Sequence, residues 1–200
     1  MTAQRLILAS GSAARRRMLD DAGVMFEVVP AAVDEDRLTE DLLRRVVAHE
    51  NIALALAEAK ALVVSDRHPQ ALVIGSDQVL STGDKILSKP GSREGARETL
   101  RRLRGKTHKL HSAVAVAIGK KVVWSTVNSA TLHMKDLSEE DLQRYLDAAG
   151  ESIYGCVGAY QIEGLGAALF EAVEGDHFTI MGMPLLPLLA ELSRLEGKTS

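Results

Sequence analysis

Apolar and polar positions follow two rhythms along this chain. Leu6-Ile7-Leu8-Ala9 and Ala71-Leu72-Val73-Ile74 are short continuous apolar runs, which predict buried strands. Phe26-Glu27-Val28-Val29 alternates and predicts another, ended by Pro30. Ala13 to Leu19 is strong helix former, with Ser12 as its cap and Gly23 just past its stop. Apolar spacings of three and four through Leu42, Leu43, Val46, Val47, Ile52 and Leu56 predict a long helical stretch from Glu40 to Val64, with a break or bend at Asn51. Val79 to Ser81 and Ile86 to Ser88 predict a hairpin around a turn containing Gly83.

Farther on, Ser92 caps a predicted helix to about Leu103 that buries Ala96, Leu100 and Leu103. Its arginines at 93, 97, 101, 102 and 104 form the expected solvated side. Lys109–Ile118 and Lys121–His133 read as strands joined by a tight Gly119-Lys120 turn. Ser138 and Asp141 resemble a capping box, opening a helix with Leu142, Tyr145 and Leu146 inward and Gly150 at its end. Leu169–Val173 and Phe178–Met181 predict two more strands. Pro184 opens a last helix through Leu195, and Glu196 to Ser200 are expected to fray. Helices between the early strands and a hairpin pair in the middle define a mixed α/β chain with no internal repeat or linker.

Composition narrows the possibilities. Two hundred residues suit one domain of moderate size or two small lobes, and 46% hydrophobic residues supply a core. A net charge of −3 and 4% aromatics argue against a nucleic-acid partner. Cys156 is the single cysteine, so an intrachain disulfide and a cysteine zinc cluster are excluded. The start leads into a strand of about four residues, far short of a signal peptide's apolar core, and no run approaches a membrane span. A soluble cytoplasmic protein with no membrane partner is expected.

The candidate chemistry begins at Arg5 to Leu19, RLILASGSAARRRML. A strand, a small-residue turn and a helix start leave unpaired N–H groups at the positive end of a helix dipole. Ser10 and Ser12 add hydroxyls, and Arg15 adds a fork-shaped donor in the first turn. A phosphate suits this corner; an ordinary strand-to-helix turn is the competing reading. Successive helix residues point roughly 100° apart, so Arg15, Arg16 and Arg17 do not share one face, and Arg15 is in register with the loop. Asp34-Glu35-Asp36 lies in a predicted loop, either as a solvated turn or as half of a divalent-metal site. Asp77 follows the apolar run 71–74 and Gly75-Ser76, where open α/β sheets place their chemistry. It reads as a turn cap or as a metal ligand or general base. Lys60 lies near the end of the predicted long helix and, taken alone, reads as a surface lysine. Pro90 holds Lys89 at a defined angle. Tyr154 to Ala167 is dense in glycine and reads as a loop wrapped around a ligand.

LASGS with Arg15 behind it, then IGSDQ, SKP, GKTH, GAYQIEGLG and MGMPL occur in the order found in Maf-like nucleoside triphosphate pyrophosphatases, over residues 5 to about 195. The chain resembles that family. The resemblance implies a Maf/Ham (ITPase-like) α/β fold: an elongated mixed sheet flanked by helices, forming one domain of two lobes with a cleft between them. It implies hydrolysis of a nucleoside triphosphate to the monophosphate and pyrophosphate with Mg²⁺ or Mn²⁺, and a homodimer. By position, Ser10, Ser12, Arg15 and Lys60 match substrate-binding residues. Asp77 matches the proton acceptor, Lys89 the lysine of a Lys-Pro motif, and Glu35, with Asp77, the metal-holding acids.

Departures from the commonest pattern bear on the base. Ala13-Ala14-Arg15 stands for Pro-Arg-Arg, Gln78 for a threonine, Glu163 for a glutamine and Cys156 for a lysine. Gln78, Cys156 and Glu163 together resemble the subgroup acting on 7-methyl-GTP. A carboxylate at Glu163 suits a cationic base with N–H donors, although a loop salt bridge would also explain it. Ala14 matches neither subgroup. Thymidine, uridine or cytidine triphosphates are the alternative substrates, and a nucleotide-binding regulator of septum formation is the alternative class.

Overall fold

A computed structural model describes residues 5 to 197, apart from the side chain of Glu196. In chain order the elements are β1 (Leu6–Leu8), α1 (Ala13–Asp21), β2 (Glu27–Val28), α2 (Glu35–Arg44), α3 (His49–Arg67), β3 (Leu72–Thr82) and β4 (Lys85–Leu87). There follow α4 (Arg93–Leu103), β5 (Thr107–Ile118), β6 (Lys121–Met134), α5 (Glu139–Ala149), β7 (Phe170–Glu174), α6 (His177–Met181) and α7 (Leu185–Gly197). The strands form one mixed sheet in the order β2-β1-β3-β5-β6-β7, with β4 on β3. β1 runs parallel to β2 and β3, while the β3–β4 and β6–β7 pairs are antiparallel. The mixed α/β class expected from the sequence is therefore present.

The chain divides into two compact units. The first holds the residues up to Gln78, Ser112–Asn128 and the segment from Gly182 onward; the second holds Val79–His111 and Ser129–Met181. In the first, Ile7, Ala9, Val64, Ala71 and Val73 pack together, so α3 covers the strands that carry the anion corner. In the second, Leu100, Leu103, Leu132, Leu142 and Leu146 are fully or almost fully buried in one apolar cluster with Tyr160 and Phe170. Each such aliphatic side chain contributes about 2 kcal/mol of apolar burial.

Caps fall where the local sequence puts them. Ser12, Ser92 and Ser138 accept from the backbone N–H three residues on, and Asp141 closes the capping box by accepting from Ser138 N at 3.0 Å. Gly119 and Lys120 both take positive φ, 54° and 67°, as a two-residue hairpin turn requires.

Five expectations are corrected. The long helix is two helices, and the break is at Arg45–Ala48, where Val46 takes φ 56°; Asn51 lies inside α3. Asp34-Glu35-Asp36 is not an open loop. Asp34 accepts from Arg37 N at 3.1 Å as the cap of α2, and Glu35 and Asp36 occupy its first turn, where acids suit the dipole. β3 does not end at Ile74 but runs through Gly75-Ser76-Asp77-Gln78 to Thr82. Phe178–Met181 is helix, because the Asp176 carboxylate takes the N–H groups of Phe178 and Thr179. The α4 arginines are not simply solvated: Arg93 pairs with Asp147, Arg97 with Gln143, and Arg101 and Arg104 with Glu139, all on α5. At the C-terminus α7 reaches Gly197, past the predicted fraying point; Lys198 to Ser200 lie outside the described residues.

Candidate functional site

Ser10, Ser12 and Arg15 come together at the start of α1, with Arg15 drawn inward. Ser10 Oγ accepts from Ser12 N at 3.3 Å and from Arg15 Nη1 at 3.1 Å, and Ser12 Oγ caps α1 at Arg15 N. Arg15 is 8% exposed. Burial pulls its pKa below the ordinary arginine value, opposed by the charges of Asp77 and Glu35, which lie near enough to act on it. Arg16 and Arg17 point outward and pair weakly with Asp20 and Asp21, each at 3.6 Å. One arginine of the three therefore serves the corner.

Lys60 is neither a surface residue nor at a helix end. It lies inside α3 and is 6% exposed. Its Nζ donates to the Asp77 carboxylate and meets Glu35 Oε1 at 2.8 Å. A buried ammonium is tolerated only when paired in this way. Gly75 makes the approach feasible. A Cβ there would sit 2.1 Å from Ala57 O and 2.5 Å from Ala61 N, both backbone atoms of α3. Because strand side chains alternate, Gly75 and Asp77 share the face toward α3, so the close helix contact at Gly75 brings Lys60 against Asp77. We expect Gly75→Ala to push α3 off the sheet and destabilise the fold by about 2 kcal/mol, read as a lowered urea midpoint. An unchanged midpoint would show that the close contact is dispensable.

On the opposite face, Gln78 Nε2 donates to Ser112 Oγ at 3.0 Å, and Ser76 Oγ donates to Ala113 O at 2.8 Å and Gly182 O at 3.2 Å. Ala14 is half-buried in the first turn of α1. Two carboxylates, Asp77 and Glu35, converge on the Lys60 ammonium. This donor set fits a hard divalent ion completed by a ligand's own oxygens. It is not a cage made by protein alone, since among the described residues no group of three or more His, Cys, Asp or Glu side chains is placed to hold a metal.

The other predicted residues belong to the second unit. Lys89 is exposed, on a loop pinned where Gly91 N donates to Tyr154 O at 3.1 Å. Glu163 is exposed, and the loop salt bridge that would have explained it is absent among the described residues. Burial pushes the Cys156 thiol up and Glu163 adds to the rise, while a hydrogen bond from Gln161 and the charge of Lys89 oppose it. The glycine density of this stretch has a packing cause as well: Gly158 lies against the Tyr160 ring and Gly166 against the backbone of Gln161.

Residues the sequence reading passed over are Ser76, Ser112 and Gly182. The motifs IGSDQ and MGMPL contained two of them, but their partners lie far along the chain.

These features define an α/β protein in which Ser10, Ser12 and Arg15 gather at the start of α1, beside two carboxylates that share the Lys60 ammonium. The chain belongs to the Maf-like protein family, whose description its residues 5–195 match. It is 50% identical over 192 residues to the "7-methyl-GTP pyrophosphatase" of Mesorhizobium japonicum, covering 96% of each chain. It is 46% identical to the protein of the same description from Brucella abortus, over 95% of this chain and 96% of that one. It is 48% identical to a "Nucleoside triphosphate pyrophosphatase" of Bradyrhizobium diazoefficiens, over 94% and 92%. A HAM1 protein from Coxiella burnetii aligns at 12% identity and a TM-score of 0.39, over 67% of this chain and 74% of that one, a likeness too distant to carry the fold.

Proposed function

We propose that this chain is a nucleoside triphosphate pyrophosphatase, cleaving its substrate to the nucleoside monophosphate and pyrophosphate, with 7-methyl-GTP as the preferred substrate. The observation that carries the reaction class is the Glu35–Lys60–Asp77 group set near Arg15. Hydrolysis of a phosphoanhydride needs a water aligned for attack, a group to take its proton, and positive charge for the leaving oxygens. Asp77 takes the water's proton on a carboxylate oxygen. Lys60 holds that carboxylate in one orientation through a hydrogen bond and contributes charge. Arg15, with Ser10 and Ser12, reads phosphate oxygens at the start of α1. Glu35 and Asp77 would hold Mg²⁺ or Mn²⁺, which supplies charge neutralisation when bound.

The base assignment rests on Glu163. Methylation at N7 leaves guanine cationic and with N–H donors, and an exposed carboxylate without an ion-pair partner among the described residues suits both properties. Relatives described as 7-methyl-GTP pyrophosphatases support it. A homodimer, a cytoplasmic setting and the absence of a nucleic-acid partner form part of the proposal. Among the described residues no helix is long and apolar enough to cross a membrane.

The test is pyrophosphate release across canonical and methylated nucleoside triphosphates with Mg²⁺. We expect kcat/KM for 7-methyl-GTP to exceed that for GTP, UTP and dTTP by about tenfold or more, the range a buried or charged contact discriminates. Equal values would remove the base assignment and leave the reaction class. Tight binding with no turnover on any nucleotide would favour a regulatory, nucleotide-binding role.

A further inference from the structure

The MGMPL segment has no role in the mechanism above, yet Gly182 lies at the centre of the anion corner. Arg15 has five N–H donors. Nε donates to Gly182 O at 2.9 Å, and Nη1 donates to Ser76 O at 2.8 Å and to Ser10 Oγ at 3.1 Å. Three donors are thus spent inside the protein. The two on Nη2 have no hydrogen-bond partner among the described residues. Nη2 still keeps contact with solvent, since the one fully buried, unpartnered side-chain polar atom among those residues is His108 Nδ1. A guanidinium is planar, so fixing three donors fixes the direction of the other two.

Gly182 suits this use in two ways. Its φ of +111° is a conformation that residues with a Cβ rarely adopt, and it is the conformation in which its carbonyl serves both Arg15 and Ser76. Its missing side chain also leaves an open strip. A Cβ would lie 3.6 Å from Arg15 Nε, 3.7 Å from Arg15 Nη2 and 3.8 Å from Gln78 Oε1, which is ordinary contact and no clash. Ser76 Oγ shares its one hydrogen between Gly182 O and Ala113 O, tying the segment before α7 to β5. Ser76 thus holds the carbonyl that holds Arg15, and its own carbonyl is the second clamp.

We infer that Gly182 and Ser76 are positioning residues for Arg15: together they aim its Nη2 edge outward as a fixed reader of the triphosphate. The inference rests on the proposed function, in which Arg15 meets phosphate. A strand–turn–helix cradle needs none of these contacts, because Ser12 alone caps α1. An arginine free to move would bind the same anion with a larger loss of side-chain entropy.

The test is a double-mutant cycle read by calorimetric titration with inorganic tripolyphosphate, with KM and kcat for 7-methyl-GTP alongside. Ser76→Ala is expected to weaken tripolyphosphate binding about fivefold in the otherwise unchanged chain, and by less than about twofold in an Arg15→Lys background, because the coupling runs through the guanidinium. Gly182→Ala, which strains the backbone without filling occupied space, is expected to show the same dependence on Arg15. Melting temperatures confirm that each variant is folded. Equal losses in both backgrounds, or no loss from either substitution, would overturn the inference while leaving the proposed function standing. An unchanged chain that neither binds tripolyphosphate nor releases pyrophosphate from any nucleotide would overturn both.

Discussion

Asp77→Asn is expected to lower pyrophosphate release about a thousandfold, within the range that general-base removal produces, while the protein stays folded. Asparagine keeps the shape of the side chain and a carbonyl oxygen that still accepts from Lys60. It has no basic oxygen to take a proton from water. Lys60 retains Glu35 at 2.8 Å, so the buried ammonium is not left alone, and the melting temperature should move little. Stopped-flow pyrophosphate detection at saturating nucleotide and Mg²⁺ measures the chemical loss, and thermal unfolding measures the fold. An Asp77→Asn protein turning over within tenfold of the parent would remove Asp77 from the role of base. Glu35→Gln provides the contrast: if its role is to share a cation, excess Mg²⁺ should recover part of the lost rate, which it should not do for Asp77→Asn.

The second large effect is a loss of stability in mild acid, traced to His108. This imidazole is 1% exposed on β5. It meets Tyr160 OH through Nε2 at 2.7 Å and packs against the Tyr160 and Phe170 rings, and its Nδ1 has no hydrogen-bond partner among the described residues. Burial, reinforced by the positive charge His133 can carry, lowers its pKa from 6.5 to about 4. The native state holds the ring neutral while the unfolded chain protonates near pH 6.5, so between pH 6.5 and 4 the unfolded state binds more protons. Stability from this group is complete above pH 6.5, falls as pH drops toward 4 and is flat below it. The full change is about 3 kcal/mol, of which about 2 kcal/mol is lost by pH 5. Denaturant midpoints at pH 7 and pH 5 measure it. His108→Phe, which keeps a ring against Tyr160 and Phe170, should flatten the dependence even if it lowers stability at pH 7 through the lost Tyr160 hydrogen bond. The same slope in the variant would place the acid sensitivity elsewhere. Activity profiles below pH 6 therefore need a parallel measure of folded fraction before they report on Asp77.

Much of the candidate site was legible because its chemistry is local. Ser12 as the cap of α1 and Arg15 as the inward arginine follow from positions within one helical turn. The Ser138–Asp141 capping box and the Gly119-Lys120 turn are legible for the same reason. The Asp176 cap was equally local, yet the apolar run after it read as strand; a short run does not separate the two by periodicity. Lys60 was a different case. A lysine in an alanine- and leucine-rich helix looks like a surface residue until Asp77, seventeen positions away, and Glu35 are brought to it. The end of β3 failed similarly. Gly75-Ser76 reads as a turn, but strand pairing and the α3 backbone against Gly75 hold the chain extended.

What the sequence determined by itself was the α/β class, the serine caps of α1, α4 and α5, and, through ordered motifs, the family. Each depends on residues within a few positions of one another or on direct likeness. The tertiary structure alone decided that Lys60 is buried between two carboxylates, that Asp77 sits mid-strand, and that Arg15 is clamped by a carbonyl 167 positions away. Those contacts depend on which strands become neighbours and how closely a helix lies on them. No local pattern of apolar and polar residues encodes that distance.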